Sequence, residues 1–138
     1  TRPWQHVLEP LSGYLLLAQK LFGEYDAGLE EKNSFADGWN FGPKDEDALP
    51  VQEILDKMVS AWGDRATWEL DKDNHPHEAN FLKLDISKAT KRLQWQPTWK
   101  LEKTLNKIVF WHKSWIAGSN MNAKCIDEIK EYMNDMKA

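Results

Sequence analysis

Residues 74–85 read Asn-His-Pro-His-Glu-Ala-Asn-Phe-Leu-Lys-Leu-Asp, and the rest of the chain is arranged around this stretch. His75, His77 and Glu78 meet here between regularly patterned segments, and they offer donors, acceptors and charge to a polar ligand. Pro76 fixes its own φ and biases His75 toward an extended backbone. On an extended segment, side chains two residues apart point the same way, so His75 and His77 are expected to share a face. The pattern therefore predicts a ligand-binding stretch, with a scaffold before it and helical support after it.

Helical spacing of apolar residues predicts five helices, at residues 10–22, 50–62, 87–93, 101–116 and 125–136. Prolines in first turns, a serine N-cap and glycines after last turns mark their ends. These residues are Pro10, Pro50, Ser87, Gly23, Gly63 and Gly118. The first helix is expected to bury Leu11, Leu15, Ala18, Leu21 and Phe22, with Leu16 and Leu17 widening that face. The fourth is expected to bury Leu101, Leu105, Ile108, His112 and Trp115, which would make His112 a core histidine.

Strand signals are few and short. Residues 35–41 alternate aromatic and small side chains and predict a strand, residues 67–70 are a second candidate, and residues 81–84 alternate like a third. Two or three such strands cannot form much of a sheet alone. The sequence therefore predicts a helix-rich α/β fold whose strands complete a sheet built by residues outside this chain. The opening at Thr1 on Arg-Pro-Trp also reads as the middle of a longer protein.

The composition limits the classes of protein to which the chain can belong. A chain of 138 residues with 41% hydrophobic residues suits one folded domain. A net charge of −4 argues against a general nucleic-acid binder. Cys125 is the single cysteine, so no internal disulfide can form, and the cytoplasm is the expected compartment. The sequence has no apolar run long enough for a bilayer and no basic-then-apolar signal segment at its start, so no membrane partner is expected.

Five runs of the sequence resemble the C-terminal part of extended short-chain dehydrogenases/reductases that act on nucleotide sugars. They are residues 2–7 (Arg-Pro-Trp-Gln-His-Val), 39–43 (Trp-Asn-Phe-Gly-Pro), 75–79 (His-Pro-His-Glu-Ala), 84–89 (Leu-Asp-Ile-Ser-Lys-Ala) and 93–97 (Leu-Gln-Trp-Gln-Pro). Within that superfamily, the first run with its continuation to Tyr14, and the His-Pro-His-Glu-Ala run, are most similar to the CDP-glucose 4,6-dehydratase family. The resemblance covers essentially the whole chain, in order.

This resemblance implies that residues 1–138 form one C-terminal substrate-binding region of a Rossmann-type lyase, without the dinucleotide-binding half. In such enzymes a bound NAD takes a hydride from C4 of the sugar, water leaves across C5 and C6, and the hydride returns to C6. The product would be a 4-keto-6-deoxy sugar on CDP, used for surface polysaccharide such as O-antigen. The implied partner is a CDP-sugar nucleotide.

Two motifs of the family are missing from the sequence. None of the seven glycines forms Gly-x-Gly-x-x-Gly, and Tyr14, Tyr25 and Tyr132 are not followed by a lysine four residues later. The chain alone is therefore expected to have no catalytic residue, to bind no NAD and to be catalytically silent.

The resemblance also implies four substrate-binding residues. Arg2 matches an arginine that contacts the nucleotide phosphates, and a guanidinium suits a pyrophosphate because it donates several bonds in one plane. Trp4 stands where relatives have an aromatic residue beside the nucleotide. His75 replaces a phosphate-contacting arginine, and Glu78 matches an acid that accepts from a ribose hydroxyl. From the residues alone, Arg2 is more readily interpreted as a solvated arginine. His75 and Glu78 have a solvated loop as their alternative, Trp4 has core packing, and His6 is interpreted as a scaffold histidine.

Other interpretations remain open from sequence. A metal site at His75, His77 and Glu78 with a nearby aspartate is disfavoured because no second histidine cluster accompanies it. A different class of function is a helical, Trp-rich interaction module that binds no nucleotide. An unpaired strand at 35–41 and uncovered apolar faces predict a homodimer or larger assembly in either case. The sequence does not decide which nucleotide base is recognised.

Overall fold

The computed structural model describes residues 1–22, 34–71 and 81–137. Two short strands, four helices and two helical turns occupy these ranges. In chain order they are β1 (Arg2–Pro3), α1 (Leu8–Phe22), a 3-10 turn (Asp45–Asp47), β2 (Ala48–Leu49), α2 (Val51–Trp62), a π-helical turn (Ala89–Leu93), α3 (Leu101–Ile116) and α4 (Met121–Asp135). The described part is thus helix-rich, with one two-stranded sheet, which confirms the predicted helical character but shows no Rossmann sheet.

Local chemistry explains most helix boundaries. Pro50 directly precedes α2, and Gly63 ends it with a φ of 68° while its N–H donates to Val59 O. Gly118, with a φ of 72°, follows α3. Asn120 caps α4, since its Oδ1 accepts from the N–H of Ala123 at 3.1 Å. The predicted ends at Gly63 and Gly118 are therefore confirmed, whereas Gly23 lies outside the described residues.

Two hydrophobic clusters form the described core. The first contains Phe41, Ala89, Leu93 and Trp95, with Leu16 and Leu17 of α1 packed against it. The second contains Ile54, Leu101 and Leu105, with Trp4, Leu49 and Met58 around it. Helix α2 packs on α3, and α3 on α4. The first cluster joins α1 to residues 86–95, and the second joins the N-terminal strand to the helices.

The predicted strand at residues 35–41 is wrong. This stretch is irregular, and side chains rather than a neighbouring strand bind its carbonyl groups. The indole of Trp39 donates to Phe35 O at 2.9 Å, and Lys88 Nζ donates to Gly38 O at 2.9 Å. Arg92 Nη2 donates to Ser34 O at 2.7 Å. Backbone groups satisfied in this way have no need of a sheet.

The other two strand candidates are also wrong. Residues 67–70 follow a turn with positive φ at Asp64 and Arg65 and carry no regular structure; there the Trp68 indole donates to Asp56 of α2 at 2.9 Å. Residues 81–86 are likewise irregular, although Leu82 N–H donates to Thr1 O at 3.2 Å. The two strands that do form, Arg2–Pro3 and Ala48–Leu49, are not among the predicted ones.

The predicted buried face of α1 is wrong as well. Leu15 and Phe22 are strongly exposed, whereas Glu9 and Gly13 are buried and Leu16 and Leu17 reach the core. Leucines lie on all sides of this helix, so their spacing alone does not show which side is buried. The close approach of Phe41 to Gly13 selects it, because a Cβ on Gly13 would lie 2.6 Å from Cγ of Phe41.

Three smaller corrections concern the last three helical segments. His112 and Trp115 are exposed, because α3 buries Leu101, Thr104, Leu105, Val109 and Ser114 instead. The helical segment through Leu93 is confirmed, but Asp85 rather than Ser87 supplies its cap, with Oδ1 accepting from Ser87 N–H at 2.8 Å. The last helix begins at Met121 rather than Cys125. Among the helices in the described ranges, no segment combines the length and apolar character that a bilayer crossing needs.

Candidate functional site

The N-terminal segment that carries Arg2 and Trp4 is held on both sides. Strand β1 pairs antiparallel with β2, with Arg2 opposite Leu49. Gln5 Nε2 donates to Phe41 O at 2.9 Å. Arg2 and Pro3 are therefore placed by the sheet, and Gln5 is tied to the first core cluster.

Arg2 lies where two stretches of the chain meet. Its Nη1 donates to Thr1 O at 3.0 Å, and the same carbonyl accepts from the N–H of Leu82. The described segment that begins at Phe81, two residues past the end of the His-Pro-His-Glu-Ala run, therefore lies beside the strand of Arg2. The guanidinium is half-buried, and its fixed planar donors suit a carboxylate or phosphate.

Trp4 lies partly in the core. Its ring packs with the cluster of Ile54, Leu101 and Leu105, and its indole N–H donates to Leu49 O at 3.0 Å. The donor of Trp4 is thus used inside the protein, and the residue as a whole is only partly buried. These contacts agree with the alternative interpretation of Trp4 as a core residue. His75, His77 and Glu78 lie outside the described residues, so of the predicted site the structure describes only Arg2 and Trp4.

A buried carboxylate that sequence reasoning missed organises the centre of the structure. Glu9 is fully buried in the first turn of α1. Its Oε1 accepts from the N–H of Trp99 at 2.6 Å, and its Oε2 accepts from the N–H of Thr98 at 2.8 Å and from the hydroxyl of Tyr132 at 2.7 Å. Charge-assisted bonds of this kind compensate the cost of burying a carboxylate. Glu9 therefore joins α1, the segment before α3, and α4.

The hydroxyl of Ser12 extends this network. It accepts from the Trp95 indole at 2.9 Å, donates to Glu9 O at 2.7 Å and lies 3.2 Å from the Tyr132 hydroxyl. Burial is the main cause that raises the pKa of Tyr132 to about 12, with the charge of Glu9 adding to it. Tyr132 therefore stays protonated and keeps donating across the ordinary pH range.

A histidine–carboxylate pair lies beside this network. His6 Nδ1 accepts from the N–H of Leu8 at 3.3 Å, which leaves the proton of the neutral ring on Nε2, 3.1 Å from Oε1 of Glu128. Burial lowers the pKa of His6, and the charge of Lys107 lowers it further. Burial also raises the pKa of Glu128. His6 is buried and bonded, as the scaffold interpretation expected.

The pair forms one wall of a cleft of about 390 Å³ between the start of α1, α3 and α4, which Trp111, Cys125 and Ile129 also line. Within residues 1–22, 34–71 and 81–137 no group of three or more histidine, cysteine or acidic side chains could hold a metal ion.

No protein-family model matches the chain. It is 56% identical over 133 residues to CDP-glucose 4,6-dehydratase of Salmonella typhimurium, and the alignment covers 96% of this chain and 35% of that protein. The chain thus spans about a third of the length of the curated relative it matches. This similarity confirms the resemblance read from the sequence motifs.

Proposed function

We propose that this chain is the nucleotide-sugar-binding part of a longer NAD-dependent CDP-glucose 4,6-dehydratase, here called the parent. The observation that carries the proposal is the 56% identity over nearly the whole chain to an enzyme of that name. Identity at this level over 96% of the chain supports a shared substrate class as well as a shared fold.

The geometry around Arg2 supports a binding role. Strand pairing and the Gln5 bond place the N-terminal segment, and Leu82 brings the end of the sequence-predicted binding stretch to its side. We assign Arg2 to the phosphates, Trp4 to the nucleotide, and His75 and Glu78 to the phosphate and ribose contacts. A rigid two-stranded ladder is a suitable place for a phosphate-binding arginine, because it limits the freedom the side chain loses on binding.

NAD belongs to the parent in this proposal. When bound, it supplies the hydride acceptor and donor for the sugar. The residues of this chain do not fit it: the two described glycines with positive φ, Gly63 and Gly118, lie after helix ends rather than in a phosphate loop before a helix. No step of the reaction is therefore assigned to residues of this chain, and the isolated chain is proposed to be catalytically silent. The parent would act in the cytoplasm, as a homo-oligomer, to supply a 4-keto-6-deoxy sugar for surface polysaccharide.

A second candidate is an interaction module that binds no nucleotide. The observation in its favour is the number of large apolar side chains exposed on α1, α3 and α4, including Leu15, Phe22, Trp115 and Ile116. It predicts that loss of the Arg2 charge leaves all ligand binding unchanged.

The experiment compares two arginine variants of the parent. Arg2→Gln should weaken CDP-glucose binding in a calorimetric titration by about 10- to 100-fold, because charge-assisted bonds contribute roughly 1.5–3 kcal/mol each. Arg65→Gln removes the same charge from an exposed turn and should leave the affinity unchanged. Equal affinities of both variants and the unmodified parent would contradict the assigned role of Arg2.

A further inference from the structure

His6 lies at the boundary between the proposed binding segment and α1. Its ring Nδ1 accepts from the N–H of Leu8 at 3.3 Å, and its backbone carbonyl accepts from the N–H of Glu9 at 3.0 Å. Both N–H groups belong to the first turn of α1, where the donors of a helix have no partner within the helix. His6 therefore caps α1, and the angle at which the preceding segment leaves the helix depends on the position of this ring.

The other nitrogen of the ring is bound to α4. Because Nδ1 is an acceptor, the neutral ring carries its proton on Nε2, which lies 3.1 Å from Oε1 of Glu128. The ring also makes a T-shaped contact with Trp99, with centroids 5.0 Å apart, and His6 is only 5% exposed. A ring that is bonded at both nitrogens and packed against an indole cannot turn without losing both hydrogen bonds. Glu128 thus fixes the orientation of the cap.

The segment that carries Arg2 and Trp4 is held from two parts of the fold. On one side, Arg2 pairs with Leu49 of β2, and the Trp4 indole donates to the carbonyl of the same residue. On the other side, Glu128 of α4 holds His6, which is at most about 13 Å from Arg2 along the chain. Loss of the Glu128 bond would leave the α1 end of this segment less constrained, while the strand end stays in place.

From this geometry we infer that Glu128 is a positioning residue for nucleotide-sugar binding. Through the neutral ring of His6, it holds the segment from which Arg2 reaches the phosphates and Trp4 reaches the nucleotide. A small displacement of this segment matters, because hydrogen bonds to a phosphate weaken steeply with distance and angle. The inference rests on the proposed function, since it needs the roles assigned to Arg2 and Trp4. No contact with the ligand is assigned to Glu128 itself.

Steady-state kinetics of the parent separate positioning from a general effect on folding. Glu128→Leu removes the acceptor of His6 and should raise the KM for CDP-glucose roughly 10-fold with kcat unchanged, because binding weakens equally in the ground and transition states. A residue needed only for folding would lower the active fraction, and with it the apparent kcat, at an unchanged KM. An unchanged KM in Glu128→Leu would overturn the inference.

Two further glutamate variants are the controls. Glu128→Gln keeps an oxygen acceptor for the His6 ring and should retain most of the affinity. Glu102→Leu makes the same substitution at an exposed position of α3 and should leave both kinetic constants unchanged. A KM as high in Glu128→Gln as in Glu128→Leu, or as high in Glu102→Leu, would count against positioning through the hydrogen bond.

A double variant tests whether Glu128 acts through the segment of Arg2. Residues that act through one another are not additive, so Glu128→Leu should change the KM by less than about 3-fold when Arg2→Gln is already present. A full effect of roughly 10-fold in that background would overturn the inference. If Arg2→Gln weakens binding and Glu128→Leu does not, the proposed function stands and the positioning role is wrong. If the parent does not bind CDP-glucose, the proposed function is wrong and the positioning role falls with it.

Protonation of His6 should loosen the same cap. A protonated ring has no lone pair on Nδ1 for the N–H of Leu8, and its charge opposes the positive end of the α1 dipole. Burial lowers the pKa of His6, and the charge of Lys107 lowers it further, so the neutral ring persists to below pH 6.5. The other charged or titratable groups around the pair are Glu9 of α1, Lys107 and His112 of α3, and Cys125 and Glu131 of α4.

Calorimetric titration of the parent with CDP-glucose between pH 7.5 and 5 measures this effect. The affinity should hold above pH 6.5 and fall as the pH drops through the lowered pKa of His6. His6→Gln offers an acceptor and a donor that do not titrate, so its affinity should depend less on pH. His112→Gln should follow the unmodified parent, and circular dichroism of each variant checks that the fold is intact. Parallel curves for His6→Gln and the unmodified parent would overturn the inference.

Discussion

The hydroxyl of Tyr132 donates a hydrogen bond to Oε2 of Glu9 across 123 residues of sequence, at 2.7 Å. The same carboxylate accepts from the N–H groups of Thr98 and Trp99. Three donors thus converge on one buried negative charge, two from the segment before α3 and one from α4. The position of α1, and with it the segment that carries Arg2, depends on this carboxylate.

Replacement of Glu9 should be among the most destabilising single changes. Glu9→Ala leaves three buried donors without an acceptor and is expected to lower the free energy of unfolding by about 3–5 kcal/mol. Glu9→Gln should cost at least about 2 kcal/mol, because its amide group places a donor where donors already point. Urea unfolding followed by tryptophan fluorescence measures both. Glu102→Gln on the exposed side of α3 is the control and should change stability by less than about 0.5 kcal/mol. A Glu9→Gln protein as stable as the control would refute the role of the network.

Tyr132 should make the protein less stable at high pH. Its pKa is about 12 in the folded chain against 10.0 for an ordinary tyrosine, so the folded state holds the proton more tightly. The stability this gives is fully present below pH 10 and is lost as the pH rises through about 12, a loss of roughly 2–3 kcal/mol.

The variant Tyr132→Phe should lack this part of the pH dependence when unfolding is measured between pH 9 and 12. Tyr14→Phe, at an exposed tyrosine, is the matched control and should keep it. Parallel pH curves for Tyr132→Phe and the unmodified chain would show that the hydroxyl of Tyr132 is not buried in this network.

His6 should make the protein less stable at low pH. Burial lowers its pKa in the folded state below the 6.5 of an ordinary histidine, so the unfolded chain binds the proton more readily. The stability from the neutral ring is present above pH 6.5 and declines as the pH falls through the lowered pKa. Stability measured from pH 7.5 to 5 should therefore fall less in His6→Gln than in the unmodified chain. His112→Gln, on the exposed side of α3, should behave like the unmodified chain, and a flatter curve for that variant alone would contradict the assignment.

Gly13 should not tolerate a methyl group. A Cβ there would lie 2.6 Å from Cγ of Phe41, so Gly13→Ala must displace the ring that anchors the first core cluster. Overpacking of this kind costs about 1–3 kcal/mol, which outweighs the gain of roughly 1 kcal/mol in helix propensity. Gly38→Ala is a suitable control, because no atom lies within 4 Å of its added Cβ. Thermal unfolding compares the two, and equal melting temperatures would contradict the close packing.

The helices were predictable because proline and glycine mark their ends, as Pro50 and Gly63 do for α2. The prediction of a strand at residues 35–41 failed, because Lys88 and Arg92 bind the carbonyl groups of Gly38 and Ser34 from 50 and 58 residues away. Nor could the burial of Glu9 be foreseen. An acid in the first turn of a helix ordinarily faces solvent and favours the helix dipole, and nothing in the local sequence reveals donors 89 to 123 residues distant.

The candidate site, like the fold, was only partly predictable from the sequence. Arg2 and Trp4 owe their proposed roles to the family resemblance, and the structure adds their surroundings: a strand pair for one and a core cluster for the other. Elementary chemistry indicates that Arg2 can bind a phosphate, but it does not identify the nucleotide. Discrimination among bases needs groups that converge on the base edge, and the sequence pattern does not specify them.

The most direct test of the proposed function is calorimetric titration of the parent, the longer protein proposed to contain this chain, with CDP-glucose, CDP and dTDP-glucose. We expect the parent to bind CDP-glucose and CDP, and to bind dTDP-glucose more weakly, while this chain alone binds CDP-glucose weakly or not at all. A parent that binds none of the three would contradict the assignment to CDP-glucose 4,6-dehydration.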